Sequence, residues 1–542
     1  MRLFAGAGLR RVGGAENGSL LGPIADAMHD LALLENPNPA VALWEIDQCS
    51  GLTRRADVTI DSRTTEWSND GTPVQDPRSR SANNPEWVDG LSLRAKSLQM
   101  VAWNENGLVN PAAARLAPEI NDSVEWTTLS PASGVTTLQS EQSSRHLTWS
   151  GQAASLADSR RAALVEGMER LVGSQQDGGS CIISSAAALP GRALSPTDFD
   201  AYPSDAYKGK IALFDRHEEH EWVRGESLVT GEEVWVPREA VYYGETPAYS
   251  RWFLGTSSGC ATGSSVAEAT LFGLLELIER DTFVNAWYGK IPAIPVAVDS
   301  VPGAAEMTAR IRLLGWQIEL GFLRNEWGVP VFVASVVTPQ VRAFGAAAHL
   351  DLETAALRAI TEAVAYAPDR ESLVSNRRDR VRELLENPQL ASDIDDHPLL
   401  PVFSSDPAYS ILCGRVEEAC ALGNVAHLAD NSSILHSGDA RSQNHSGNLV
   451  HSSPPLDVQL IAKALVDTLG KTGIETFRVV QTAPFQTDLG LATTMTLAPA
   501  LTQLDFGWHA QRVRTSARPL EQAKLLAGKA TDCVRDLPHP FS

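Results

Sequence analysis

The chain has 542 residues, 43% hydrophobic and 20% charged, an ordinary globular mix that excludes wholesale disorder, collagen and a small disulfide-held scaffold. That length suggests about three or four domains, or one large domain with an appendage. The 45 basic and 66 acidic side chains leave a net charge of −21, and no basic stripe of the kind a nucleic-acid reader needs is present.

The opening MRLFAGAGLRRVGGAENGSL has no sustained apolar core, so it is not read as a secretory signal. Its GAGLRRVGG is too close to the start to follow a buried strand, so it is not read as a dinucleotide loop either. No stretch reaches the roughly 18 apolar residues that cross a bilayer. Cys49, Cys181, Cys260, Cys413, Cys420 and Cys533 contain no CxxC pair. They read as reduced thiols of a cytoplasmic protein.

Residues 1–120 form a separate accessory region in this reading. The Pro-, Asn-, Asp- and Ser-rich stretch 68–90 is a linker or long loop, 128–150 is again Ser/Thr-rich, and a boundary falls between 115 and 130. Residues 121–542 then alternate helix and strand signals, which indicates a mixed α/β, α+β domain. Helices are expected at 156–173, 265–287, 303–314, 352–367 and 456–469. Strands are expected at 209–215, 233–243, 474–481 and 491–498. Residues 317–323 and 329–337 should form a hairpin turning near Gly328. His217-Glu218-Glu219-His220 lacks the HExxH spacing and reads as a charged turn. The polar stretch 428–455, with His436, His445 and His451, reads as a mobile loop, an active-site lid or a metal-binding segment.

One acidic pattern occurs twice. Glu166-Gly167-Met168-Glu169-Arg170 and Glu276-Leu277-Ile278-Glu279-Arg280 both read E-x-x-E-R on an expected helix. Positions i, i+3 and i+4 share a helix face, so each motif presents two carboxylates and a guanidinium together. Arg358 and Glu362 form a further i, i+4 pair. Surface charge pairing is the plain alternative, worth a few tenths of a kcal/mol per pair. Carboxylates packed into a cleft must instead be neutralised by arginine or by cations. Hard oxygen ligands suit Mg²⁺ shared with substrate phosphates, which is what a nucleotide site without a P-loop needs. The small-residue run 257–265 precedes the second motif's helix. It could cradle an anion, or Glu268 could close a capping box there.

These segments resemble the YcaO superfamily. Residues 257–292 are similar to its small-residue loop and E…E-x-x-E-R-D helix, and 151–170 to its G-K-G…S-x-x-x-E-x-x-E-R segment. Residues 357–363 match R-A-x-T-E-A, and 221–243 match W-V-x-G-x-S-L-x-T-G-x-x-x-x-V-P. The resemblance spans about 125–542. It implies a YcaO-like domain with an ATP-binding cleft between acidic helices, plus a small N-terminal region. ATP and Mg²⁺ would be its cofactors. By matching position, Glu166, Glu169, Glu276 and Glu279 would hold the metal. Glu268 would join them in orienting it, Arg170, Arg280 and Arg358 would contact phosphates, and Ser264 would lie beside the nucleotide. Three positions depart from the family pattern: Gln152 replaces its lysine, Ala162 its serine, and Phe272 a polar residue.

Azoline-forming members end in a Pro-x-Pro-x-Pro tail that reaches the active site. This chain ends Pro538-His539-Pro540-Phe541-Ser542, so Pro538, Pro540 and Ser542 become candidate catalytic-tail residues; a proline-rich surface tail is the alternative. The resemblance implies a cyclodehydratase of the D-protein type that phosphorylates backbone amides of a ribosomally made precursor peptide. A thioamide-forming enzyme and a non-catalytic peptide- or partner-binding scaffold are the alternatives. The implied partners are the precursor peptide and an E1-like, ocin-ThiF-type leader-binding protein that could dock on residues 1–120. Neither nucleic acid nor membrane is expected, and a homodimer is compatible with this reading.

Overall fold

The structure, a computed structural model, describes residues 2–5, 10–12, 40–46, 53–59, 114–115, 132–139, 144–152, 156–174 and 181–541. Within the last range 210, 245–248, 403–406, 415, 433, 436–457, 484–485, 488–489 and 529–531 are excepted. The linker expected at 68–90, most of the polar stretch 428–455 and Ser542 therefore lie outside the described residues.

Upstream, β1 (Arg2–Ala5), β2 (Arg10–Val12), β3 (Ala40–Ile46) and β4 (Thr53–Thr59) pair antiparallel in the order β2-β1-β3-β4. A four-residue strand, β1, precedes GAGLRRVGG. The next element is a second strand, not a helix, so the strand–loop–helix of a dinucleotide site is absent there. Strands β5 (Ala114–Arg115), β6 (Ala132–Gln139) and β7 (Ser144–Gly151) form a second small sheet. The Ser/Thr-rich stretch is thus largely a hairpin, and it packs on helix α1 (Leu156–Ser174).

The main body has two sheets. The larger joins β8 (Ile182–Ser185), β9 (Arg192–Ala193), β10 (Glu219–Ser227), β11 (Glu233–Pro237), β12 (Cys260–Gly263), β17 (Phe477–Val480) and β18 (Ala492–Leu497). Its order is β12-β18-β17-β10-β11-β9, with β8 on β10. The smaller has four antiparallel strands in sequence order: β13 (Ile294–Pro295), β14 (Gln317–Leu323), β15 (Val331–Val337) and β16 (Arg342–Ala348). Strand β12 ends one sheet and β16 the other.

Three helices bring those ends into use. Helix α1 and helix α2 (Val266–Tyr288) pack on β12 and β18, and α2 also meets β16. Beyond α3 (Ala305–Leu313), helix α4 (Leu352–Asn376) lies on β15 and β16. Helix α2 starts where Ser265 caps it, its Oγ accepting from Glu268 N at 3.1 Å. It is buried on almost every face, with Leu274, Leu277 and Ile278 in the main core, each stabilising by roughly 1.5–3 kcal/mol. Helix α4 presents Ala355, Ala356, Ala359 and Ala363 to Phe332, Ala334 and Ala343. Small side chains let it approach closely, and Gly345 on β16 completes the fit. A Cβ there would stand 2.4 Å from Ala363 N and 2.7 Å from Ala359 O. Gly345→Ala should therefore push α4 away and destabilise the protein by about 1–3 kcal/mol. Thermal unfolding measures this, and an unchanged midpoint would refute the close packing.

The expected hairpin forms, with Leu323 opposite Val331 and Gly328 at φ +68°. Helix α4 continues through Pro368 to Asn376, beyond the expected stop at 367, because Leu373 and Val374 still bury against the core. Further helices α5 (Val458–Lys471) and α6 (Arg518–Ala527) pack on α2. The strand expected at 209–215 does not form. Residues 211–215 run as loop, tied by Ala212 N to Arg251 O at 2.7 Å. Residues 233–243 split into β11 and a short turn of helix, Arg238–Val241. The expected charged turn fails at its end: Glu219 and His220 begin β10, and His220 is fully buried, stacked 3.9 Å from Trp252.

Candidate active site

The two E-x-x-E-R helices converge, and their carboxylates bind the sheet ends in a repeated way. Glu169 Oε2 accepts from Thr262 N of β12 at 2.8 Å. Glu276 Oε2 accepts from Gly259 N just before β12, also at 2.8 Å. Glu279 Oε2 accepts from Ala348 N of β16 at 2.8 Å, and Glu362 Oε2 from Ala346 N at 2.8 Å. The end strands thus spend free N–H groups on carboxylates from three helices. One turn of α2 separates Glu276 from Glu279, so a single helix spans from one sheet to the other.

Arginines sit between these acids. Arg170 Nε pairs with Glu166 Oε1 at 2.7 Å. Arg280 Nη2 pairs with Glu276 Oε1 at 2.6 Å, and its Nη1 donates to Ser258 Oγ. Glu166 and Glu276 each keep 27% of their side-chain surface exposed, so a ligand can reach them. The arginines do not balance the charge. Burial, then repulsion from Glu276 and Glu166, holds Glu169 well above the ordinary carboxylate range. Burial also raises Glu276. Burial, with repulsion from Glu362 and Glu276, pushes Glu279 up to about 8. Burial pushes Glu362 up to about 7, with Glu166 adding repulsion. The acids of α1, α2 and α4 therefore share one electrostatic site.

Glu279, Arg280 and Glu362 line a pocket with Arg342, Tyr366 and Arg370. Arg342 pairs with Glu319 and donates to Ser335 Oγ. The opposite wall is apolar and includes Phe283, Phe344, Pro398, Leu504, Pro540 and Phe541. The chain's last residues have thus come inward. Pro538 to Phe541 are buried, and Phe541 stacks on Phe283 with ring centres 4.0 Å apart. The tail reaches this acidic cleft at its Glu279/Glu362 side.

A family model described as YcaO cyclodehydratase, ATP- and Mg²⁺-binding, matches residues 150–502, which include all of these acids and the Gly259–Ser265 run. The chain belongs to the YcaO family. An uncharacterized protein of Methanothermobacter thermautotrophicus is 27% identical over 227 residues, covering 40% of this chain and 55% of that one. A Rhizobium leguminosarum bv. trifolii protein, uncharacterized and encoded in the tfuA 3′ region, is 31% identical over 176 residues, covering 29% and 40%. This chain thus spans about half the length of the curated relatives it matches. Among solved structures, a heterocyclase in complex with substrate and cofactor superimposes with a TM-score of 0.61 at 17% identity. That match covers 93% of this chain and 64% of the heterocyclase, and at such identity it bears on the fold alone. Among the described residues, no helix is long and apolar enough to cross a membrane.

Within this YcaO chain, the expected site residues separate into groups. Glu166, Glu169, Glu276, Glu279, Arg170 and Arg280 come together. Glu268 instead serves the cap: its Oε2 accepts from Ser264 N at 2.5 Å and Ser264 Oγ at 2.6 Å. Arg358 is exposed beside His349 and is not among the pocket-lining residues. Its i+4 partner Glu362 takes the inward position. Sequence reasoning noticed that pair but did not select Glu362, and it missed Arg342, Tyr366 and Arg370. The signal for Glu362 was available: Arg358 and Glu362 stand in the R-A-x-T-E-A match. The departing residue Phe272 packs against the core.

Among the described residues, no three His, Cys, Asp or Glu side chains close around one point as a ready-made metal cage. The donors still fit Mg²⁺, which takes one or two carboxylates and completes its shell with water and phosphate oxygens. Each tethered glutamate has one oxygen on a backbone N–H and its charge incompletely offset. The raised carboxylates give this a pH signature. The folded state holds protons on Glu279 and Glu362 that the unfolded chain has released. Without a cation, these groups lower stability progressively as pH rises from about 4.5 to about 8. A bound cation displaces those protons. Stabilisation by Mg²⁺ in thermal unfolding should therefore be larger at about pH 8 than at about pH 6. A shift independent of pH would contradict the assignment.

Proposed function

We propose that the chain is an ATP-dependent peptide cyclodehydratase that converts Cys, Ser or Thr residues of a ribosomally made precursor to azolines. The observation that carries this reading is the tail: Pro540 and Phe541 wall the same pocket as Glu279, Arg280 and Glu362. A proline-spaced tail at an acidic nucleotide cleft is the feature of azoline-forming members.

The substrate side chain attacks the preceding amide carbonyl to give a hemiorthoamide. Its oxygen takes the γ-phosphoryl group of ATP, releasing ADP. Phosphate then leaves with that oxygen as the ring's C=N bond forms. An amide oxygen is a poor leaving group, and phosphorylation makes it a good one. Catalysis is then mainly positioning and charge stabilisation. Arg170 and Arg280, with Arg342 and Arg370, would face the phosphates. Glu166, Glu169, Glu276 and Glu279, joined by Glu362, would hold Mg²⁺, which when bound offsets phosphoryl charge. The apolar wall from Phe283 to Phe541 would keep water from the phosphorylated intermediate. A precursor peptide is the substrate in this reading. An E1-like, ocin-ThiF-type partner would capture its leader, and residues 1–120 would offer the docking region.

The test is mass spectrometry of short Cys-, Ser- and Thr-rich candidate precursors incubated with the protein, ATP, Mg²⁺ and the partner. Loss of water that requires ATP is expected. Exchange of oxygen for sulfur would instead indicate a thioamide-forming enzyme, and no affinity for ATP would indicate a scaffold.

A further inference from the structure

We propose that His397 and His539 form a two-imidazole clamp that sets the C-terminal strap against the carboxylate pocket, with His397 as a positioning residue that touches no reactant. This rests on the cyclodehydratase reading for its catalytic consequence, but the clamp can be tested without activity.

Both imidazoles are fully buried, and their surroundings fix their protons. His397 Nε2 lies 3.0 Å from Gly507 N, which can only donate. That ring nitrogen must therefore present a lone pair. The proton is on Nδ1, which donates to the His539 carbonyl at 2.7 Å. His539 Nε2 lies 2.9 Å from the Asp505 carbonyl, which can only accept, so it carries a proton. The two rings stack with centres 4.1 Å apart at 25°. A charged His397 would turn a second donor toward Gly507 N–H, so the clamp needs it neutral. Burial agrees, holding His397 down to about 4.

The rest of the strap is bonded from the far end of α2. Trp287 Nε1 donates to the Leu537 carbonyl at 2.9 Å, and His539 N donates to Tyr288 Oη at 3.2 Å. Three separate elements thus hold one strand of tail: α2, the turn at His397 and the loop at 505–507. Each holding residue sits near a pocket wall. Pro398 follows His397, Leu504 precedes Asp505, Pro540 follows His539, and Phe283 lies on α2. Residues 538–541 belong to no helix or strand, and a pocket wall built from such a segment needs a fastening of this kind. Moving the clamp would move Pro540 and Phe541 relative to Glu279 and Glu362.

The experiment compares wild type, His397→Ala, His539→Ala, His539→Gln and the double alanine variant, all as the full chain. The first readout is the rate at which a carboxypeptidase releases the C-terminal residues. Loss of a buried hydrogen bond should speed release by about tenfold or more in either alanine variant. His539→Gln retains a donor toward Asp505, should be slower to digest than His539→Ala, and disturbs the core less. The second readout is steady-state water loss from a precursor peptide. The kcat should fall about tenfold or more while KM for ATP stays within about twofold, and the double variant should lose little beyond the single ones. Wild-type digestion rates in folded variants would overturn the proposal, as would equal damage to kcat and to ATP affinity. A wild-type protein that dehydrates no peptide would sink the cyclodehydratase reading, yet the digestion rates would still decide the clamp.

Discussion

Deleting residues 538–542 should abolish ring formation, and it should also lower the unfolding temperature. A proline-rich surface tail, the alternative reading of the sequence, would be dispensable for folding. The structure gives a different expectation, because the tail is part of the core. Phe541 is only 7% exposed, and it stacks on Phe283 and lies against Phe344. Removing a buried aromatic side chain typically costs about 3–5 kcal/mol. The deletion also strips His397 Nδ1, Tyr288 Oη and the Asp505 carbonyl of partners. Pro540→Gly separates the two effects better, since it keeps Phe541 and its stack while loosening the backbone and removing one ring from the pocket wall. It should slow water loss by about tenfold with ATP binding intact. Calorimetry for nucleotide binding and mass spectrometry for the ring measure both, and full ring formation by the truncated chain would place the tail outside the chemistry.

The second large effect is expected at Glu279→Gln and Glu276→Gln, and at Glu279 it runs in opposite directions for activity and stability. A glutamine oxygen can still accept from Ala348 N or Gly259 N, so the backbone anchor survives. The charge does not. If these groups hold the cation that faces the phosphates, ATP turnover should fall by about 10²–10³-fold. Burial, with repulsion from Glu362 and Glu276, makes Glu279 costly to ionise in the absence of a cation, so folding forces a proton onto it. Its neutral replacement should therefore leave the unfolding free energy unchanged or raise it by roughly 1–3 kcal/mol at neutral pH. Active sites store such repulsion and release it on ligand binding. Destabilisation together with retained turnover would show that these acids are structural ion-pair partners.

What the sequence showed, and what it concealed, follows from the range of the interactions. Spacings within a helix are local, so Glu276, Glu279 and Arg280 could be placed on one face of α2 before any fold was known. The same is true of a cap for α2 within the small-residue run 257–265 and of the hairpin at Gly328. The choice at Glu268 is also local: of its two readings the capping one forms, its carboxylate closing back on Ser264, which its position allowed but did not force. The anchors of the acids are not local. Thr262 lies 93 residues from Glu169, and Ala348 lies 69 from Glu279. Strand β16, RAFGAAA, is small and weakly patterned, so nothing in it announced a strand or the donors it offers. Arg342 was concealed with it. His220 was misread because its neighbours are charged, whereas its burial is decided by Trp252, 32 positions away in the chain. The tail's inward course followed from the family resemblance, but its fastening to His397 depends on a contact across 142 residues.

The measurement that tests the central claim most directly follows one oxygen atom. A precursor peptide labelled with heavy oxygen at the amide carbonyl preceding its reactive Cys, Ser or Thr is incubated with the protein, ATP and Mg²⁺. Phosphorylation of the hemiorthoamide carries that oxygen away on phosphate. The label should therefore appear in inorganic phosphate, in proportion to the water lost from the peptide, and both should vanish in Glu279→Gln. Rings that form while the phosphate stays unlabelled, with the heavy oxygen released as water, would contradict the account.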